Sequence, residues 1–211
     1  MRAATRRPFT IAAAVVAGAL ALAACGGSDS EGGDAGSGGG SDTTMLSQMF
    51  ASDFEPACRT NPVAGATAYD PARAGLHKLV LLEGTSIDAV DEGFLDIPSE
   101  WTILFDTETD AYATAELVLC VVRTTTTLVQ ECTGYESDGV ETGNVVNLYS
   151  ADYDVSIHAA TTGEELGRTT VSAIGTECPM FVSFSEGETT RDWFETDAEA
   201  VAAFARPFVE T

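Results

Sequence analysis

The chain has 211 residues with 33 acidic side chains against ten basic ones, a formal charge of −23. That balance excludes nucleic acid as a partner, because binding to it rests on Lys and Arg neutralising phosphates. It excludes electrostatic attachment to an anionic membrane surface for the same reason.

Residues 1–8 are basic, and Phe9 to Ala24 is dominated by Ala, Val and Leu. The apolar run is short for a membrane span and ends in Leu22-Ala23-Ala24-Cys25, which predicts a signal peptide over 1–24 rather than a permanent helix. The closing tetrapeptide reads as the lipobox of a bacterial lipoprotein precursor. Cleavage before Cys25 and a diacylglyceryl group on its thiol would attach the protein to the extracytoplasmic face of the cell membrane. Thr5-Arg6-Arg7-Pro8-Phe9-Thr10 resembles a twin-arginine export motif, although an ordinary basic leader fits it too.

Three of the ten basic residues (Arg2, Arg6, Arg7) fall in the predicted leader. Removing 24 of 211 residues leaves 187, with seven basic against 33 acidic side chains, a formal −26. Residues 26–44 hold no large apolar side chain and cannot bury enough to order themselves. Residues 25–44 therefore read as a lipidated cysteine followed by a flexible tether of roughly 24 Å r.m.s. span. A single β-rich extracytoplasmic domain is expected over 45–211.

Leu46, Met49, Phe50 and Phe54 have helical spacing and predict a short helix ending near Pro56. Leu76 to Leu82 predicts a strand closed by Glu83-Gly84, and Trp101 to Phe105 a second, short one. Leu117 to Val122 is an unbroken β-favouring run, followed by Thr124–Thr127 and then Leu128 to Thr133, which reads as a hairpin. Val145, Tyr149, Ala151, Tyr153, Val155, Ile157 and Ala159 occupy odd positions. Ser150, Asp152, Asp154, Ser156 and His158 occupy even ones. Alternation of that length predicts a long strand with one buried and one wet face. Thr161-Thr162-Gly163-Glu164 turns the chain into a partner strand over 166–174, and Met180 to Phe184 predicts one more. Thr196-x-x-Glu199 reads as a capping box for a C-terminal helix with Val201, Phe204, Ala205 and Phe208 on one face, kinked or ended by Pro207. The fold class expected is mainly β, an antiparallel sandwich or curled sheet, with a short helix at the N-terminal side and another at the C-terminus.

With Cys25 carrying lipid, four cysteines remain in an oxidising compartment, which argues for two disulfides. In the hairpin register a three-residue loop at Thr125–Thr127 sets Cys120 opposite Cys132, within bridging distance. That predicts Cys120–Cys132 with Cys58–Cys178.

Several short motifs are distinctive as a set. They are Ala68-Tyr69, Leu76-His77 and Ile97-Pro98-x-x-Trp101, then Leu117-Val118-Leu119-Cys120-Val121 and Cys132-x-x-Tyr135. Ala160-x-Thr162-Gly163-Glu164, Cys178-Pro179 and the closing Phe204-Ala205-Arg206-Pro207-Phe208-Val209 complete it. Over most of residues 57–209 the chain resembles a family of uncharacterised bacterial extracytoplasmic domains found behind signal peptides or single membrane helices. The resemblance implies a compact disulfide-bonded β domain and carries over no catalytic residue.

Little else carries chemistry. There is no G-x-S-x-G elbow, no C-x-x-C pair and no cofactor motif. The two histidines read as a strand-start hydrogen-bonding group (His77) and a solvated surface imidazole (His158). Trp101 and Tyr153 read as core. Asp106-x-Glu108-x-Asp110 alternates as oxygen ligands of calcium do, but lacks the glycine and distal glutamate of an EF-hand loop. The function expected is a non-catalytic binding or interaction module on the cell surface, with an envelope protein as partner. A hydrolase using scattered carboxylates and a structural envelope protein are the alternatives.

Overall fold

A computed structural model describes residues 48–103 and 105–211; Cys25, the expected leader and tether, and Leu46 lie outside them. The chain is mainly β. Its centre is a pair of long strands, β3 (Leu117–Cys132) and β6 (Val145–Ala159), antiparallel along almost their whole length. On the free edge of β3 lies β1 (Leu79–Ser86), and outside it β2 (Ala89–Glu92). The other edge of β6 is shared end to end by β7 (Glu165–Ala173) and β8 (Thr190–Phe194). A separate two-stranded piece comprises β4 (Glu136–Ser137) and β5 (Val140–Glu141). A short helix, α1 (Glu55–Cys58), follows a 3-10 turn at Ala51–Phe54, and α2 (Ala198–Val209) closes the chain.

The sheet is mixed rather than antiparallel: β1 runs parallel to β3, and β8 parallel to β6. The first pair is reached through residues 87–116, long enough to return the chain to its starting end, as a parallel connection requires. The two parallel pairs leave a single six-stranded sheet instead of a sandwich.

The half of the sheet built from β1, Leu117–Val122 and residues 151–159 is covered on both faces. Leu79, Leu81, Leu117, Leu119, Val121, Tyr153, Val155 and Ile157 pack against Trp101 and against Val201, Ala205 and Val209 of α2. The alternate residues Val80, Leu82, Val118, Cys120 and Val122 pack against Phe54, Ala57, Cys58 and Tyr112. Burial on both faces is why Leu117–Val122 is apolar without alternation. Beyond it the sheet continues as an arm, where Thr124–Glu131 are exposed and a small cluster forms from Cys132, Val146, Leu148, Tyr135, Val182, Phe184 and Trp193.

Several expectations are corrected here. The hairpin at 117–133 is one unbroken 16-residue strand. Thr124–Thr127 contain no Gly, Pro, Asn or Asp to turn the chain, and β-branched threonine favours extended backbone. Cys120 and Cys132 therefore sit about 40 Å apart along one strand by strand rise. The bonds are instead Cys58–Cys120, tying α1 to the covered half, and Cys132–Cys178, within the arm. The first strand begins at Leu79 rather than Leu76, which makes an isolated bridge with Glu210. Trp101 and Thr102 form no strand beyond one bridge, Leu79 to Thr102. Met180–Phe184 is not a strand; the strand of that region is β8, in a polar stretch. The first helical turn starts at Ala51, and Pro56 lies inside the first turn of α1, where its missing N–H is harmless. Asp197, not Thr196, caps α2 by accepting from the Ala200 N–H at 2.9 Å, and Pro207 is accommodated within its last turn.

The long strand over 145–159 and its partner are where the alternation places them, and Trp101 and Tyr153 are core. Among the described residues no helix is long and apolar enough to cross a membrane. The two disulfides suggest an extracellular or periplasmic location.

Candidate functional site

The two histidines are the obvious places to look for chemistry, and both are fully buried. His77 stands just before β1. Its Nδ1 lies 2.7 Å from Glu116 Oε2, while Glu116 Oε1 accepts from Arg73 Nη2 at 2.5 Å. Its Nε2 lies 3.0 Å from Thr211 Oγ1. Hydroxyl, imidazole and carboxylate in that order have the sequence of a nucleophilic triad, but the Thr211 hydroxyl donates to the Arg73 carbonyl at 2.6 Å. None of these groups lines any of the larger cavities found among the described residues. The network closes the chain. Thr211 and Gly75 exchange backbone bonds, His77 N–H donates to the Val209 carbonyl, and Tyr69 Oη donates to that of Phe208. Burial pushes the Glu116 carboxyl up, yet hydrogen bonds from Arg73 and His77 outweigh it and hold it below the usual carboxylate range.

His158 corrects the expectation of a solvated imidazole. Its Nε2 lies 2.9 Å from Ser156 Oγ and its Nδ1 3.3 Å from the Gly163 carbonyl, so the ring bridges β6 to the turn before β7. That turn is pressed on Thr60–Asn61: a Cβ on Gly163, which has φ +70°, would meet the Asn61 carbonyl carbon at 2.5 Å. Burial pulls the His158 imidazole below its ordinary value, partly offset by the Gly163 hydrogen bond. The lack of alternation in Leu117–Val122 was the sequence signal that both faces are covered where β3 meets this end of β6.

The calcium candidate does not assemble. Asp106 holds its own loop, accepting from the Glu108 N–H at 2.9 Å and Thr109 Oγ1 at 2.7 Å, and Asp110 accepts from the Met49 N–H at 3.1 Å. Among the described residues no three His, Cys, Asp or Glu side chains are grouped to hold a metal ion.

What the sheet does leave open is a groove beside α2. It has a volume of about 470 Å³ and is lined by Glu83, Val121, Arg123, Tyr153, Asp192 and Phe194, among others. Register places these residues together. Glu83 pairs with Val121, Arg123 with Tyr153, and Phe194 with Tyr149 on the same face of β6. Arg123 Cζ lies 3.4 Å over the centre of the Phe194 ring, and the Phe194 ring is stacked on Tyr149 at 5.0 Å. Tyr153 Oη donates to the Glu195 carbonyl at 2.9 Å, fixing the wall next to α2. Sequence reasoning placed Tyr153 but missed Arg123 and Phe194. The available signal was a lone arginine set between Val122 and Thr124 in a stretch otherwise uncharged from Leu117 to Gln130.

No family model matches this chain, and comparison with curated proteins and with solved structures finds no match. The motif resemblance thus goes no further than a β domain closed by two disulfides.

Proposed function

We propose that the protein is an extracytoplasmic lipoprotein, anchored through Cys25, whose domain acts as a non-catalytic binding module through the groove beside α2. One observation carries the reading. Both imidazoles are sealed into networks that hold the fold, whereas the half-buried side chains of Arg123 and Phe194 line an open groove over the buried ring of Tyr153. A volume of that order falls within the range of ligand sites, which are mostly apolar with a few placed polar groups. The lipobox and the acidic tether support the anchoring, since stable attachment by acyl chains needs no basic surface.

Two measurements test the reading. Cys25→Ser should abolish lipid addition and normal maturation; a substituted chain that is still processed and partitions into detergent as before overturns the anchor. A small-molecule screen followed by NMR of the whole chain should produce shifts that converge on Val121, Tyr153 and Phe194. Hits that converge on another surface overturn the groove as the site.

A further inference from the structure

The seven basic residues of the segment after the leader are all described, and six of them have partners. Arg73 pairs with Glu116, Arg168 with Asp154 and Glu165, Arg191 with Glu188, and Arg206 with Glu210. Arg59 donates to the Ile87 carbonyl, and Lys78 to that of Glu100. Among the described residues Arg123 has neither an ion pair nor a hydrogen bond, although acidic side chains outnumber basic ones by more than three to one. The two carboxylates beside it in the groove are turned to other donors. Glu83 accepts from the Phe94 N–H at 2.7 Å, and Asp192 accepts from Asn147 Nδ2 at 3.0 Å.

Stacking on Phe194 uses the face of the guanidinium. Its N–H donors lie in the guanidinium plane, and a rigid fork of that kind matches a carboxylate in bidentate fashion. The Phe194 ring restricts the side chain, so less freedom is lost when an acceptor arrives. Behind the fork the groove has a floor of Val121 and Tyr153, both largely buried, and a wall formed by the half-buried ring of Phe194.

From this arrangement we infer that the groove binds an apolar carboxylic acid, its carboxylate taken edge-on by Arg123 and its apolar body laid against Phe194 over the floor of Val121 and Tyr153. The inference rests on the groove being the binding site and names the class of ligand it takes. A planar monoanion fits better than a phosphate dianion, because the surrounding charge of this chain opposes each added negative charge. The acid could be a free small molecule or the terminal carboxylate of a peptide; the chemistry of recognition is the same.

The test compares phenylacetate with phenylacetamide, and N-acetylphenylalanine with its amide, on the whole chain by calorimetry and protein NMR. Each acid should move Val121, Tyr153 and Phe194 and bind at least about tenfold more tightly than its amide, the lower end for a hydrogen bond to a charged group. A preference for the N-acetylamino acid pair identifies a chain terminus, and a preference for phenylacetate a free acid. Arg123→Gln should remove the discrimination between acid and amide without changing the melting temperature, and Arg123→Lys should restore only part of it. Equal binding of acid and amide within the groove overturns the carboxylate assignment while leaving the groove as a site. Shifts of other residues, or none with any probe, overturn both.

Discussion

The two halves of β3 belong to one strand and obey different rules. From Leu117 to Val122 every side chain is buried, because helices and loops cover both faces of the sheet; from Thr124 to Glu131 every side chain is exposed. Each half has its own disulfide and its own cluster. Strand continuity is thus decided by backbone preference and by pairing with β6, whereas stability depends on what lies above and below the strand. The groove lined by Arg123 and Phe194 sits close to the transition between them, where the β-branched run has just begun.

The largest effect should separate the two disulfides. Chain entropy gives each bond about 4 kcal/mol for separations of 62 and 46 residues. What distinguishes them is access, since Cys58 and Cys120 are both buried while Cys178 is exposed. Replacing Cys58 and Cys120 by alanine should lower the stability of the whole domain by at least that amount. Under mild reductant, mass-spectrometric mapping should find Cys132–Cys178 opened first, and the reverse order would contradict the comparison.

Core truncations come next. Phe54→Ala or Leu119→Ala, each fully buried in the covered half, should cost about 2–5 kcal/mol in denaturant unfolding. Leu128→Ala, nearly half exposed on the arm, should stay within about 0.5 kcal/mol. Equal costs would show that the arm is packed as tightly as the body.

Acidity offers a sharper contrast. The folded His158 is depressed below its ordinary value, so its unfolded form binds protons first. The stability it contributes is present above about pH 6.5 and is lost as pH falls through the lower folded value. Glu116 is depressed as well, and its contribution is lost further into acid, below the ordinary carboxylate range. In the arm Glu188, hydrogen-bonded by Arg191 and by the Ser185 N–H, is lowered to about 2, so its loss comes only at the acid extreme. Melting temperatures measured from pH 7 to pH 5 should therefore fall for the native chain. They should fall less for His158→Gln, and an unchanged slope in that variant would remove the imidazole as the cause.

The smallest effect is expected from Arg123→Gln on stability. Its guanidinium has no hydrogen-bonding partner among the described residues, so melting should change little while ligand discrimination disappears. A marked destabilisation would make Arg123 a structural clamp on Phe194 instead.

Local pattern was enough for the mainly β class, the 145–159 strand with its return strand, the terminal helix and the burial of Trp101 and Tyr153. At Ala151, Tyr153, Val155, Ile157 and Ala159 and on the buried face of α2, the repeating local signal and burial agree. It was not enough for Thr124–Thr127, where turn-like polarity hid strand-favouring β-branched backbone, and the disulfide pairing fell with that register. Nor could it place His158, because a polar residue on an alternating strand is wet or dry according to what packs over it, here the turn at Gly163 against Thr60–Asn61. The groove was the least legible feature. Arg123, Phe194 and Glu83 come from three strands far apart in sequence, brought to one face by a parallel pairing on each side of the central hairpin-free pair β3 and β6. The chain by itself determined its composition, its long alternating strand and a lone arginine within a β-favouring run. Only the tertiary structure decided that this cation has no carboxylate to meet, because its nearest acidic neighbours in the groove are held by the backbone of Phe94 and the side chain of Asn147.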